Sequence, residues 1–182
     1  MSSLEFRPAF EHPELLAAPV AAALRALTPA LAAQVEVASI DATLADTAAF
    51  CAAYGVAPDA SANCVVIAGS RAGATRFAAC VVLATTRLDV NGTVRRLLDA
   101  RKASFAPMDD AVAMSGMEYG GITPVGLPHD WALYLDPRVV ALPSAIIGSG
   151  IRGSKLRLPG SVLAALPSAE VIDGLAAEIR TD

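Results

Sequence analysis

Histidine, cysteine and aromatic side chains are all scarce in this chain. The two histidines, His12 and His129, and the three cysteines, Cys51, Cys64 and Cys80, form no CxxC pair and no zinc-ligand spacing. An odd number of widely spaced thiols also argues against a disulfide framework, and Cys64 and Cys80 lie in apolar, strand-like runs where a thiol packs as a small hydrophobe. No metal and no cofactor are expected. Aromatics make up only 5% of the residues although hydrophobic residues reach 54%, because much of the apolar content is alanine. No apolar run approaches the roughly 18 residues of a membrane span. The opening MSSLEFRPAFEHPELL has acids and prolines where a secretory leader has a basic start and an apolar stretch. A soluble, cytoplasmic protein that avoids membranes is the expectation.

An excess of positive charge is missing as well. The net charge of −4 argues against a protein that coats nucleic acid, and no DNA-specific binding is expected. That total conceals a gradient. Residues 63–102 hold seven basic and two acidic side chains, while the segments on either side are acidic. Arg71, Arg76, Arg87, Arg95, Arg96, Arg101 and Lys102 can form a phosphate-facing patch whose binding weakens with salt, or simply a solvated surface.

A chain of 182 residues suits one domain with a real core. Residues 1–40 read as an alanine-rich helical extension broken by Pro13, Pro19 and Pro29, ending in the alternating strand QVEVASI. Residues 41–182 form the core. Thr43 and Asp46 are spaced as a capping box for a helix that Gly55 ends. NCVVIAG and RFAACVVLAT read as a hairpin turning around Ser70 to Thr75, with the second run a central strand. DVNGTVRRLLDA is predicted helical, KASFA a short strand and PMDDAVAMSG a short helix. After a stretch dense in glycine and proline come the strand candidates WALYLDP, SAIIGSG and SKLRLPG, the short helix SVLAALP, and AEVIDGL as a last strand leading into a C-terminal helix. Helices early and strands late, without regular alternation, predict an α+β fold with a mixed sheet.

Several familiar signatures fail on context. GSGIRG, Gly148 to Gly153, matches GxGxxG, but a dinucleotide site needs a helix next, and SKLRLPG alternates like a strand. A Walker loop fails because the serine and lysine are in the wrong order. What survives is a glycine loop between strands that brings Arg152 and Lys155 near an anion, or an ordinary hairpin with a basic edge. No Ser/His/Asp set forms: His129 has no GxSxG elbow to serve, and a lone histidine after proline is usually a surface residue. Asp109 and Asp110 open a helix, where acids suit the macrodipole.

The stretch MEYGGITPVGLPHD, Met117 to Asp130, concentrates Gly120, Gly121, Gly126, Pro124 and Pro128. Glycines that reach angles closed to other residues, alternating with prolines that fix theirs, specify a rigid loop. Rigid irregular backbone can present N–H groups to a carbonyl or a developing oxyanion without a charged catalytic side chain. The alternative is a tight crossover between elements.

SGMEYGGITPVGLP resembles the GxxxP loop of the YbaK/EbsC family, aminoacyl-tRNA deacylases related to the editing domain of bacterial prolyl-tRNA synthetase. The likeness runs in order from about residue 44 to residue 176, through CVVIAG, RFAACVVLATTRLDVN, KASFAPMDDAVAMSGM, LYLDPRVVA and IIGSGIRGSKLRL. It implies a mixed sheet partly closed into a barrel and flanked by helices. The implied activity is metal-independent hydrolysis of the ester between a mischarged small amino acid and the tRNA 3′ end. Gly120, Gly121, Ile122, Thr123 and Pro124 would hold the aminoacyl carbonyl, and water would attack with help from the terminal ribose hydroxyl. Asn63, Gly126, His129, Gly150, Arg152, Gly153 and Lys155 are the candidate substrate-binding residues. Arg71, Arg76, Arg95, Arg96, Arg101 and Lys102 are the candidates for meeting the tRNA acceptor end. One position departs from the family: its deacylases have lysine at the start of the strand where this chain has Asn63. Asparagine still donates a hydrogen bond but brings no charge. A non-catalytic module that binds a tRNA 3′ end, an aminoacyl-nucleotide or another small ligand is the alternative.

Overall fold

A computed structural model describes residues 4–179. Its strands are β1 (Arg7–Pro8), β2 (Glu36–Ser39), β3 (Ala62–Arg71), β4 (Ala74–Leu83), β5 (Thr86–Leu88), β6 (Lys102–Phe105), β7 (Ala132–Leu135), β8 (Ala145–Gly148), β9 (Ser154–Leu158), β10 (Ala169–Val171) and β11 (Ala176–Glu178). The α-helices are α1 (Ala18–Ala26), α2 (Pro29–Ala32), α3 (Thr47–Tyr54), α4 (Arg95–Leu97), α5 (Met108–Ser115), α6 (Pro137–Val140) and α7 (Gly160–Ala164). A four-stranded sheet has the order β1-β2-β9-β8, a five-stranded sheet β10-β7-β4-β3-β6, and a two-stranded ribbon joins β11 to β5. β4–β7 and β7–β10 are parallel and the remaining ladders antiparallel, so the α+β class with a mixed sheet holds.

The β3–β4 hairpin turns at Ala72 and Gly73, both at positive φ as a two-residue turn between twisted strands requires. β4 lies between β3 and β7, and Ala78 to Leu83 are all buried, as its unbroken apolar run predicts. The two larger sheets touch where Ser61 bridges Ile146, and beyond that bridge β3 and β8 line a shared cavity. This is the partial closure of the barrel.

Local readings differ from the structure in three places. Residues 41–54 are not one helix with a Thr43/Asp46 box. Asp41 caps a 3₁₀ turn through Thr43 N–H, and Asp46 caps α3 through the N–H groups of Ala48 and Ala49, so two carboxylates restart the chain. The 89–100 segment opens as a π turn, Val90–Val94, because the Asp89 carboxylate accepts from Gly92 and Thr93 N–H; only α4 is α-helical. Where a C-terminal helix was expected, Ala176 to Glu178 extend as β11 against β5; the last residues of that expected helix, 180–182, lie outside the described residues. A long-range partner overrides the local preference.

The segment from Ala9 to Val37 packs into the main core. Leu16, Ala17, Val20, Ala21 and Leu24 belong to the same buried cluster as Val81, Leu133, Ile147 and Leu156, and β2 pairs with β9. Among the described residues, no helix is long and apolar enough to cross a membrane.

Candidate active site

Between β3, β8 and the 117–126 loop lies a cavity of about 550 Å³. Gly120 and Ile122 form one wall, Ser61 and β3 from Ala62 to Val66 another, and Arg152 and Lys155 reach it from the β8–β9 hairpin.

The loop wall is main chain held by main chain. Glu118 N–H donates to Gly150 O and Gly150 N–H donates to Gly121 O, both at 2.8 Å, which clamps the loop onto the hairpin. The Glu118 carboxylate accepts from Arg152 N–H at 2.7 Å, and the Arg152 guanidinium donates to Tyr119 O at 3.3 Å. Gly121 sits so close that a Cβ there would lie 2.7 Å from the Ile151 carbonyl carbon and oxygen. Gly120 has φ +83°, a left-handed conformation that glycine adopts without penalty. Gly121 N–H is spent on Glu118 O and Thr123 N–H faces Met117 Sδ, whereas the amides of Gly120 and Ile122 have no partner among the described residues. Thr123 is fully buried with an unpartnered hydroxyl. Pro124 is also buried and lines a different cavity. Of the five GGITP residues, Gly120 and Ile122 are the ones that reach this space.

The strand wall is built from side chains. Thr47 Oγ1 donates to Asn63 Oδ1 at 2.6 Å, leaving the Asn63 N–H donors unengaged among the described residues. Lys155 is the one lysine or arginine side chain buried among the described residues. Its ammonium donates to Ala45 O at 2.9 Å and lies 5.2 Å from the Phe50 ring centroid. Burial lowers its pKa below the ordinary 10.5, nearby Cys51 and Asp46 oppose the shift, and Arg152 adds to it. Burial also raises the thiols of Cys51 and Cys64, the latter to about 12, so neither is a nucleophile near neutrality.

Other residues singled out in the sequence lie elsewhere. His129 is exposed and, with Gly126, borders a small apolar cavity beside Trp131. Gly126 and Gly150 abut the start of α1, at Pro19 and Ala17. Gly153 O accepts from Ile40 N–H and so ties the hairpin to the N-terminal segment. The Arg71 guanidinium is paired with Asp99, which Arg76 also approaches at 3.9 Å, and Arg96 donates to Thr93 Oγ1. Arg95, Arg101 and Lys102 border a separate surface depression. Asp46 and Thr47 line the cavity, although the sequence suggests only a capping box for Asp46 and singles out neither as a site residue. Their signal was the aspartate opening α3; their position beside Asn63 is a tertiary fact. Among the described residues no group of three His, Cys, Asp or Glu side chains is placed to hold a metal ion.

Comparison with solved structures shows the fold. A chain from work on computational grafting of epitope backbones onto scaffold proteins superposes with TM-score 0.71 at 24% identity, covering 86% of this chain and 95% of that one. The hypothetical protein APE2540 gives 0.71 at 19% identity, over 85% and 99% of the two chains. A candidate trans-editing enzyme for prolyl tRNA synthetase gives 0.69 at 22% identity, over 86% and 96%. No curated protein matches. The family model for the aminoacyl-tRNA editing domain matches residues 41–166, a span that holds both walls of the cavity. The chain therefore belongs to the aminoacyl-tRNA editing domain family, the YbaK/EbsC-type proteins of tRNA editing.

Proposed function

We propose that this protein acts in trans as a deacylase, hydrolysing the ester that joins a mischarged small amino acid to the tRNA 3′ end. The observation that carries this reading is the pair of unpartnered amides, Gly120 and Ile122, on the wall of a cavity that Arg152 and Lys155 also line. The ester carbonyl sits on these amides. Water adds to the carbonyl carbon, and the negative charge that develops on the carbonyl oxygen is met by the free N–H groups of Gly120 and Ile122. The bond from that carbon to the ribose oxygen then breaks, the ribose oxygen takes up the proton, and the free amino acid leaves. The neighbouring hydroxyl of the terminal ribose orients the water, so no side-chain base is required. Ile122, Ile146, Ile147 and Val66 bound the cavity and favour a small side chain by size, the sieve principle of editing sites.

The second reading, a binding module without turnover, draws on two observations. Asn63 is neutral, and the Lys155 ammonium is already committed to Ala45 O. A panel of misacylated tRNAs separates the two. The deacylase reading expects release of amino acid from at least one small-residue mischarge; a wholly charged panel, with Asn63→Lys gaining hydrolysis, would establish the module instead.

A further inference from the structure

Two further cavities lie beyond the candidate site, one of about 1130 Å³ and one of about 570 Å³. All three adjoin. Asn63, Val65 and Phe105 wall both the candidate site and the larger cavity, while Asn91, Ala103 and Ser104 wall both the larger cavity and the third. The wall that the first two share has a topological cause. β6 covers β3 only from Ile67 to Ser70, with Ala106 N–H adding a bond to Val66 O. Among the described residues, Asn63 to Val65 therefore have β4 on one side and no paired strand on the other.

The character of the walls changes along this path. The site end offers amides and Asn63. At the junction stands Phe105, 67% exposed at the end of an edge strand. The far end carries Arg95, Arg101 and Lys102, all exposed and none in an ion pair with another described residue. Arg71 and Arg76, by contrast, are drawn toward Asp99 and lie off the path. Two carboxylates border the middle cavity. Asp89 is occupied by Gly92 and Thr93, and Glu178 belongs to β11, which pairs with β5. A row of adjoining cavities with a bare aromatic ring between the candidate site and a group of unpaired cations matches what a flexible single-stranded polyanion needs, stacking for a base and charge for its phosphates.

We infer that these cavities together form one groove, the track for the unpaired 3′ end of the RNA, on the deacylase reading the strand that delivers the ester. The last nucleotide enters the candidate site, a preceding base stacks on Phe105, and phosphates further back meet Arg95, Arg101 and Lys102. Single-stranded RNA with splayed bases fits such a groove; a duplex presents its bases to neither ring nor pocket.

Fluorescence anisotropy with a labelled, unacylated single-stranded RNA ending in CCA tests the track separately from hydrolysis. Phe105→Ala is expected to weaken binding about tenfold and Phe105→Trp to restore it, the range of base–aromatic stacking. The Arg101→Ala/Lys102→Ala double variant is expected to flatten the log–log salt dependence by about 1.4, the loss of two single-strand phosphate contacts. Arg25→Ala, on the exposed face of α1, controls for lost charge alone. These side chains are exposed, and circular dichroism checks that each variant folds. In deacylation assays Phe105→Ala should raise KM and leave kcat in place. RNA binding indifferent to Phe105, or a salt dependence moved as much by Arg25→Ala as by the double variant, would overturn the track and leave the deacylase reading standing. Phe105-dependent RNA binding without hydrolysis of any mischarged tRNA would support the track and remove the deacylase reading.

Discussion

On one wall of the cavity the working groups belong to the main chain, and on the other they belong to side chains. The Gly120–Ile122 wall is held by reciprocal backbone bonds to Gly150 and by the Glu118 carboxylate on Arg152 N–H. The facing wall presents Asn63, oriented by Thr47, with the buried Lys155 ammonium beneath Ala45 O. The difference lies in what each wall can tolerate. Backbone donors are displaced by most substitutions and removed only by proline, so the loop is sensitive at its glycines. Side-chain donors can be exchanged, and here a neutral asparagine stands on β3 while the buried cation rises from β9.

Displacing the loop should have the largest effect. Gly121→Ala places a methyl 2.7 Å from the Ile151 backbone and must push the loop off the hairpin. Single-turnover deacylation should fall about a hundredfold, the scale of a misplacement of about 1 Å at a reacting centre. Next comes the charge on the strand wall. Lys155→Met, similar in length but neutral, should lower kcat/KM on mischarged tRNA at least about tenfold, and unchanged kinetics would show that this ammonium serves packing alone. Asn63→Lys moves a cation onto β3 and should alter turnover while Thr47→Val, which only frees the Asn63 side chain from its 2.6 Å bond, alters it less. A comparison of the two rates would reverse that order if orientation of Asn63 mattered more than charge.

The buried ammonium also makes a pH prediction. Burial lowers the Lys155 pKa in the folded protein, whereas in the unfolded chain it titrates near 10.5. Between those values the unfolded state binds the more protons, so stability rises with pH across the window. Urea unfolding midpoints of the wild type, compared with Lys155→Met, should climb as pH approaches 10.5, and the variant should lack that component. The smallest effect is expected at His129, exposed and off the cavity: His129→Ala should leave deacylation within about twofold, in keeping with a surface substitution remote from the chemistry.

Much of this arrangement was legible in the sequence because it is local. The unbroken apolar run of β4 announced a central strand, the β3–β4 turn was marked by its glycine, and GGITP and GSGIRG announced irregular backbone between strands. The structure brings those two loops together. What the sequence did not disclose depends on partners distant in the chain. β11 is a strand because β5 is there to pair with it. Thr47 acquires a role because α3 starts beside β3, and Lys155 becomes a buried cation because β9 lies under the cap of that same helix. The alanine-rich start reads in the sequence as a helical extension, yet Gly126 and Gly150 are required where α1 leaves no room for a side chain. Periodicity reports which face of an element is apolar; it carries no information on what that face meets.

The central claim is that main-chain donors of the 120–124 loop carry the chemistry. Single-turnover hydrolysis of a mischarged tRNA by wild type and by Gly120→Ala tests it most directly. Alanine at φ +83° costs roughly 1–2 kcal/mol of backbone strain and brings a methyl 2.6 Å from the Arg152 guanidinium, disturbing the loop without removing any catalytic side chain. The account expects the rate constant for hydrolysis to collapse while the folded structure and RNA binding persist. A folded Gly120→Ala protein that hydrolyses the ester at the wild-type rate would contradict it.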